Sequence, residues 1–184
     1  MSIIELTYTY PSGQRLEVLQ GDITDEAVDV IVNAANSRLL HGSGIAGAVA
    51  RKGGDVVIRE SAEWVRKHGP VTHGNPAYTR AGNLPCRYVI HAVGPVFGEG
   101  EEEDKLYRAI SGSLARADEL KAASIAIPAL STGVFNFPVE SAAGVFYAAL
   151  RSYFLAHPDS SVQLVRFVLW DERTLQVFMQ AADF

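Results

Sequence analysis

The spacing of apolar positions predicts that strands and helices alternate along most of the chain. Two segments near the N-terminus, IIELTYTY and RLEVLQ, alternate with a period of two and are separated by the turn sequence PSGQ, which is typical of two strands joined by a turn. Further strands are predicted at VDVIVNAA, NPAYTR, RYVIHAVGP, SIAIPAL and QLVRFVL. VDVIVNAA is rich in β-branched residues, as expected of a strand that is buried on both faces.

Between these strands, apolar residues recur at the spacing of amphipathic helices. DVVIRESAEWVRKHGP predicts a helix with Ile58, Ala62 and Val65 on its apolar face. PVESAAGVFYAALRSYFLAH and DERTLQVFMQ predict two later helices, the second with Asp171 as its N-cap. The alternation from residue 28 to the end predicts an α/β fold with a mostly parallel sheet and helices on both faces, in which ligands bind beyond the carboxyl ends of the strands.

Composition and charge narrow the range of partners. The 184 residues carry a net charge of −5 and show no cluster of Lys and Arg, which argues against nucleic acid as a partner. We read no signal peptide, and no apolar run approaches the ~18 residues of a membrane span, so we expect a cytoplasmic protein with no membrane partner. A single cysteine, Cys86, allows no internal disulfide, and the five histidines lack the spacing of metal ligands. We therefore expect neither a metal nor a cofactor.

The stretch GSGIAG at residues 42–47 matches the glycine fingerprint of a dinucleotide-binding turn. The residues around this stretch do not match those of a dinucleotide-binding turn. In that fold the first glycine directly follows a strand, whereas eight residues separate Asn33 from Gly42, and the position about 20 residues further on, near Lys67, is not acidic. An NAD-dependent oxidoreductase is therefore rejected. The small residues instead open a helical segment, and PALSTGVFNFP at residues 128–138 repeats that design, so two loops with free N–H groups can hold a diphosphate between them.

Six short segments carry a resemblance to a known family: GDIT (21–24), VIVNAAN (30–36), LLHGSGIAGAV (39–49), YVIHAVGP (88–95), PALSTGVF (128–135) and VLWD (168–171). In this order and spacing they resemble the macro domains. HGSGIAG is more similar to the viral and archaeal forms than to the MacroD group. The resemblance implies a three-layer α/β/α sandwich around a mixed, mostly parallel sheet, in a single domain over residues 1–184 to which residues 1–20 add N-terminal strands.

Macro domains bind ADP-ribose, and some remove it from proteins or hydrolyse its derivatives. The resemblance therefore implies ADP-ribose or an ADP-ribosylated protein as the partner. Asp22 would accept a hydrogen bond from the adenine amino group, with the backbone of Ile23 beside the base and Trp170 stacked on it. From the residues alone, two alternatives stay open: Asp22 as the cap of a turn, and Trp170 as an ordinary core residue.

The resemblance places the rest of the ligand along the two loops of small residues. Asn36 would hold the distal ribose hydroxyls, since an amide both donates and accepts. Asn33 is counted with the ligand-binding residues, although bracing of the loop is the favoured role for it. The diphosphate and the distal ribose would meet Gly42, Ser43, Gly44, Ile45, Ser131, Thr132, Gly133, Val134, Phe135 and Asn136.

His41 and three departures from the family pattern bear on catalysis. His41 is either a loop residue without a task or, as in the resembling viral forms, a residue that lines the distal ribose, with an ordinary pKa near ~6.5 that suits proton transfer. Ala46 stands where the MacroD group has a water-positioning aspartate, and Ser43 and Asn136 each replace a glycine. Any hydrolysis would then depend on Asn36, His41 and water held by the ligand's own diphosphate.

Two functions stay open at this point. The first is hydrolysis of mono-ADP-ribosyl esters on proteins, or of 1″-substituted ADP-ribose such as the phosphate or the acetyl ester, with Asn36 and His41 as catalytic residues. The alternative is a non-catalytic reader module that binds ADP-ribose. The missing aspartate favours the reader, and the retained Asn36 and His41 favour the enzyme.

Overall fold

The structure is a computed structural model that describes residues 2–184. In that part of the chain the elements are β1 (Ile3–Thr9), β2 (Arg15–Gln20), β3 (Val30–Ala34), α1 (Gly44–Gly53), α2 (Asp55–His68), β4 (Ala77–Arg80), β5 (Tyr88–Ala92), α3 (Glu102–Glu119), β6 (Ser124–Pro128), α4 (Val139–Ala156), β7 (Leu164–Leu169) and α5 (Glu172–Ala181). A short 3-10 turn, Ile23–Asp25, lies between β2 and β3. The strands and helices predicted from apolar spacing are confirmed.

The strands form one sheet in the order β1-β2-β7-β6-β3-β5-β4. The inner strands, from β2 to β5, are parallel, and β1 and β4 pair antiparallel at the two edges. β4 lies antiparallel to β5 because residues 81–87, which connect them, are too short a segment for the crossover that parallel neighbours require. The sheet is mixed and mostly parallel, as predicted.

Helices cover both faces of the sheet, and β3 shows how its side chains divide between them. Val30 and Val32 pack in the core formed with α3, α4 and α5, whereas Ile31 packs on the opposite face with Val49 of α1 and Val57 of α2. All three strand side chains are at most 1% exposed, as expected when side chains alternate between two covered faces. The fold is a three-layer α/β/α sandwich.

The apolar face predicted for α2 is wrong at Ile58 and Ala62, which are exposed, whereas Val65 is half-buried against a small hydrophobic cluster. The buried residues of this helix are Val57 and Ser61, and Ile58 is 51% exposed. The hydroxyl of Ser61 lies 2.8 Å from Nε2 of His41, and this partner allows a polar residue to take an inward position. Apolar periodicity alone misses such a position because it treats every polar residue as facing solvent.

Candidate ligand-binding cleft

A cleft of about 620 Å³ opens at the carboxyl ends of β2, β6 and β7, where α1 forms its facing wall. Ligands of open parallel sheets bind in this position. The lining residues come from the turn after β2, from α1, from the loop after β6 and from the start of α5: Gly21, Asp22, Ile23, Thr24, Gly44, Ile45, Ala48, Arg51, Lys52, Pro128, Ala129, Thr132, Gly133, Val168, Trp170, Asp171 and Thr174.

Asp22 forms one end of the cleft as a charged hydrogen-bond acceptor. Its Oδ1 accepts from the backbone N–H of Thr24 at 2.9 Å, which caps the 3-10 turn. Its Oδ2 lies 3.3 Å from Nζ of Lys52, which also contacts Asp25 at 2.8 Å. Burial works to raise the pKa of Asp22, but the hydrogen bonds from Thr24 and Lys52 prevail and lower it. The carboxylate is therefore ionised at neutral pH.

Trp170 is an exposed aromatic side chain at the same end of the cleft. It is 74% exposed, so it is not the core residue that was one of the two alternatives. Its backbone carbonyl accepts from Nε2 of Gln20 at 3.2 Å. The next residue, Asp171, accepts from the backbone N–H of Thr174 at 2.9 Å and is the N-cap of α5, as predicted. Trp170 thus lies between the end of β7 and the cap of α5, at the rim of the cleft.

The N-terminus of α1 presents free N–H groups at the other end of the cleft. Ser43 is the N-cap residue, but its side chain makes no capping hydrogen bond. Gly44 has a φ of 58°, a left-handed conformation that favours glycine. The first N–H groups of a helix have no partner within the helix, and the helix dipole adds positive potential there. This end of the cleft is therefore suited to an anion.

The loop after β6 faces this helix end. Ser131 and Asn136 both have positive φ, 67° and 57°, which is uncommon for residues other than glycine. The hydroxyl of Ser131 is buried without a partner in the described residues. Of this loop's predicted contacts, Thr132 and Gly133 line the cleft. Val134 is 86% exposed.

A backbone hydrogen bond joins the loops after β5 and β6. The N–H of Phe97 donates to the carbonyl of Phe135 at 2.9 Å, and the ring of Phe97 packs edge-on against Phe137. Phe135 is half-buried. The two loops thus support each other at the rim.

Asn36 braces the loop between β3 and α1. Its Nδ2 donates to the carbonyl of Leu40 at 2.7 Å, and its Oδ1 accepts from the N–H groups of Arg38 at 3.2 Å and Leu40 at 3.1 Å. The residue is nevertheless exposed. Asn33 is fully buried in β3, with Nδ2 3.0 Å from Nδ1 of His91. Asn33 was counted with the ligand contacts, with bracing of the loop as its favoured role; it has no surface at the cleft, and its side chain contacts His91 of β5.

His41 turns inward from the same loop. Its Nε2 lies 2.8 Å from the hydroxyl of Ser61, its Nδ1 is buried without a partner in the described residues, and its ring centroid lies 5.3 Å from that of His91. Burial lowers the pKa of His41. His91 is held between Asn33 and Thr79, and burial lowers its pKa to about 3. Both imidazoles are therefore neutral at pH 7.

The structure brings many of the predicted residues to one place. Those that line the cleft are Asp22, Ile23, Gly44, Ile45, Thr132, Gly133 and Trp170. The predicted residues that lie in the adjoining loops are Asn36, His41, Gly42, Ser43, Ser131, Val134, Phe135 and Asn136.

Sequence reasoning missed the part of the cleft wall that α1 forms beyond its first turn. Ala48, Arg51 and Lys52 follow Gly44 and Ile45 on one face of this helix. Their spacing of three and four residues is that of a single helical face, so the sequence was sufficient to predict that they lie on the same face as Gly44 and Ile45. It also missed Ser61 and His91, which no local pattern distinguishes.

Two further properties concern metals and membranes. Among residues 2–184, no three His, Cys, Asp or Glu side chains are grouped as ligands of a metal ion. No helix in that range has the length and apolar character needed to span a bilayer.

A family model described as Macro domain matches residues 32–146, and the chain therefore belongs to the macro domain family.

Similar proteins include two relatives and a solved structure. An uncharacterized protein of Thermotoga maritima is 46% identical over 176 residues, which make up 95% of this chain and 29% of that protein. One of Pyrobaculum aerophilum is 48% identical over 168 residues, 91% of each chain. The crystal structure of the Trypanosoma brucei macrodomain in complex with ADP-ribose is 31% identical, with a TM-score of 0.81, and the match covers 90% of this chain and 68% of that one.

Proposed function

We propose that this protein binds ADP-ribose, with the adenine between Asp22 and Trp170 and the diphosphate at the N-terminus of α1. The observation that carries the proposal is one cleft that joins an ionised carboxylate and an exposed indole to free helix N–H groups. Helix α1 spans the two ends, from Gly44 to Lys52, and eight residues of helix rise about 12 Å. This length fits a base and a diphosphate that are joined through one ribose.

The remaining ribose would lie beyond the diphosphate, beside the loops that carry Asn36 and Phe135. Both residues retain exposed surface. The Trypanosoma brucei macrodomain, which shares this fold, was solved in complex with ADP-ribose, and this supports the same ligand here.

Calorimetric titration with ADP-ribose and with NAD⁺ tests the proposal. The second ribose of NAD⁺ carries nicotinamide, so ADP-ribose is expected to bind more tightly. Binding of NAD⁺ at least as tight as that of ADP-ribose, or no binding of ADP-ribose, would contradict the assignment.

We further propose that the bound ligand is hydrolysed when it carries an ester at the distal ribose. The substrates would be mono-ADP-ribosylated acidic side chains or 1″-substituted ADP-ribose. Water would cleave the ester and yield ADP-ribose and the free acid, a reaction that needs less acid or base assistance than cleavage of an arginine N-glycoside. Asn36 would position the ribose, and His41, in the same loop, would assist proton transfer, with burial favouring its neutral form.

A time course on a glutamate-linked mono-ADP-ribosylated protein, with free ADP-ribose measured by mass spectrometry, tests this activity. Asn36→Ala is expected to abolish release, and Ser37→Ala, a change at the exposed neighbouring position, is expected to leave it unchanged. Equal release by wild type and Asn36→Ala would contradict the catalytic role of Asn36.

A non-catalytic reader is the alternative function. The observation that favours it is Ala46, a buried residue that carries no acid at the position where the MacroD group has its aspartate. A wild-type protein that binds ADP-ribose but releases nothing from the protein ester, the 1″-phosphate and the acetyl ester would be a reader.

A further inference from the structure

The third glycine of GSGIAG, Gly47, lies inside α1, where no turn requires it. Its φ is not positive. A Cβ at this position would stand 3.1 Å from Nη1 of Arg51 and 3.4 Å from the carbonyl oxygen of Gly42. The side chain of Arg51 therefore folds back along the helix, and its guanidinium lies over residue 47. The glycine leaves room for this arrangement.

Arg51 and Lys52 are the cations of the cleft wall, and they differ in their partners. Lys52 contacts Asp22 at 3.3 Å and Asp25 at 2.8 Å. Arg51 lines the cleft but forms no ion pair with any residue in the range 2–184. The other lining carboxylate, Asp171, is engaged in capping α5. The charge of Arg51 is thus left for a ligand.

We propose that Arg51 binds the diphosphate of a nucleoside diphosphate in the cleft and makes the site select phosphorylated over neutral nucleosides. This inference rests on the proposed function. At the level of Gly47 the guanidinium lies three residues, about 4.5 Å along the helix axis, from Gly44. A planar guanidinium donates paired hydrogen bonds to phosphate oxygens. The backbone N–H groups of the helix end and the guanidinium would then hold the same anion from adjacent positions.

Titration of the full chain with adenosine, ADP and ADP-ribose tests this role. Arg51→Ala is expected to weaken ADP and ADP-ribose binding roughly tenfold, the scale of a lost charge-assisted hydrogen bond, and to leave adenosine binding unchanged. Added salt should weaken ADP-ribose binding by wild type more than by the variant, because an exposed charge contact is screened. Arg59→Ala, the same charge change on the exposed side of α2, is the matched control and should behave as wild type.

Gly47→Ala gives a second test, since a Cβ 3.1 Å from Nη1 makes the guanidinium of Arg51 move by a few tenths of an ångström and keeps its charge. Its ADP-ribose affinity should lie between those of wild type and Arg51→Ala. ADP-ribose binding by Arg51→Ala within about twofold of wild type, or an equal loss of adenosine binding, would overturn the inference and leave the proposed function standing. If wild type bound none of the three ligands, both would fall.

Discussion

At the scale of single residues, the two carboxylate oxygens of Asp22 have different partners. Asp22 caps the 3-10 turn through Oδ1 and presents Oδ2 near Lys52 at the end of the cleft. A turn cap and a base contact, which are alternatives when only the sequence is considered, are therefore compatible in the folded chain. The capping bond fixes the direction of the carboxylate, so a ligand need not order it.

Replacement of Asp22 by Ala is expected to weaken ADP-ribose binding by about 1–3 kcal/mol, because a hydrogen bond to a charged group is lost. Asp25→Ala is the matched control, since Asp25 contacts the same Lys52 but does not line the cleft. Calorimetric titration measures both, and thermal melts report any loss of the turn cap. If Asp22→Ala bound ADP-ribose as tightly as Asp25→Ala and wild type, Asp22 would not contact the base.

His91 is expected to make stability depend on pH. Burial, with a smaller contribution from His41, lowers its pKa to about 3, whereas the unfolded value is near ~6.5. Between these values the unfolded chain binds a proton that the folded chain does not. The stabilisation is thus complete above pH 6.5 and is lost as the pH falls towards 3, by about 1.4 kcal/mol per pH unit for this histidine.

Histidine ring resonances followed by NMR from pH 8 to pH 4.5 check this expectation. The His91 resonances should not shift over this range, because the pKa of His91 lies near 3. A His91 transition near its ordinary pKa would contradict the interpretation.

At the scale of elements, the start of α1 forms one end of the cleft. Its N-cap provides no side-chain partner for the first N–H groups, and the left-handed Gly44 directs the chain into the helix. An N-cap that bonded these groups would compete with a ligand for them. Helix α1 therefore lacks the stabilisation that a side-chain cap would add, at the position where a ligand is expected.

Gly44→Ala is expected to destabilise the fold by about 1–2 kcal/mol, because an L-residue is strained in the left-handed region, and to weaken ADP-ribose binding. Gly42→Ala is the matched control for stability: neither position has a neighbour within 4 Å of an added Cβ, but only Gly44 has a positive φ. Urea unfolding and ADP-ribose titration measure the two effects. Equal stability of the two variants would contradict the backbone argument.

Helix α2 shows how far the sequence predicts an element. Its existence and its end follow from composition and from the glycine after His68. Its rotation does not, since Ser61 turns inward to a partner twenty residues away, His41. A pairing of this kind depends on packing between separate elements, which no local window contains.

At the scale of the whole molecule, ligand binding should stabilise the entire domain, because the cleft joins segments from the turn after β2 to α5. ADP-ribose at a hundred times its Kd is expected to add about 2.7 kcal/mol, which raises the melting temperature of a chain of this length by about 5–10 °C. Differential scanning calorimetry measures this. NAD⁺ at the same concentration should produce a smaller shift, and an equal one would argue for a different ligand.

The sequence by itself determined the order of the elements, the mostly parallel sheet and the two loops of small residues, because period and turn chemistry are local properties. Only the tertiary structure decided that Asn33 is buried against His91 and that Ser61 faces His41. It alone placed the guanidinium of Arg51 over Gly47 within the cleft wall. These contacts depend on how the packed elements are oriented relative to one another. Each orientation is stabilised by contacts between residues that lie far apart in the sequence, so no local pattern predicts it.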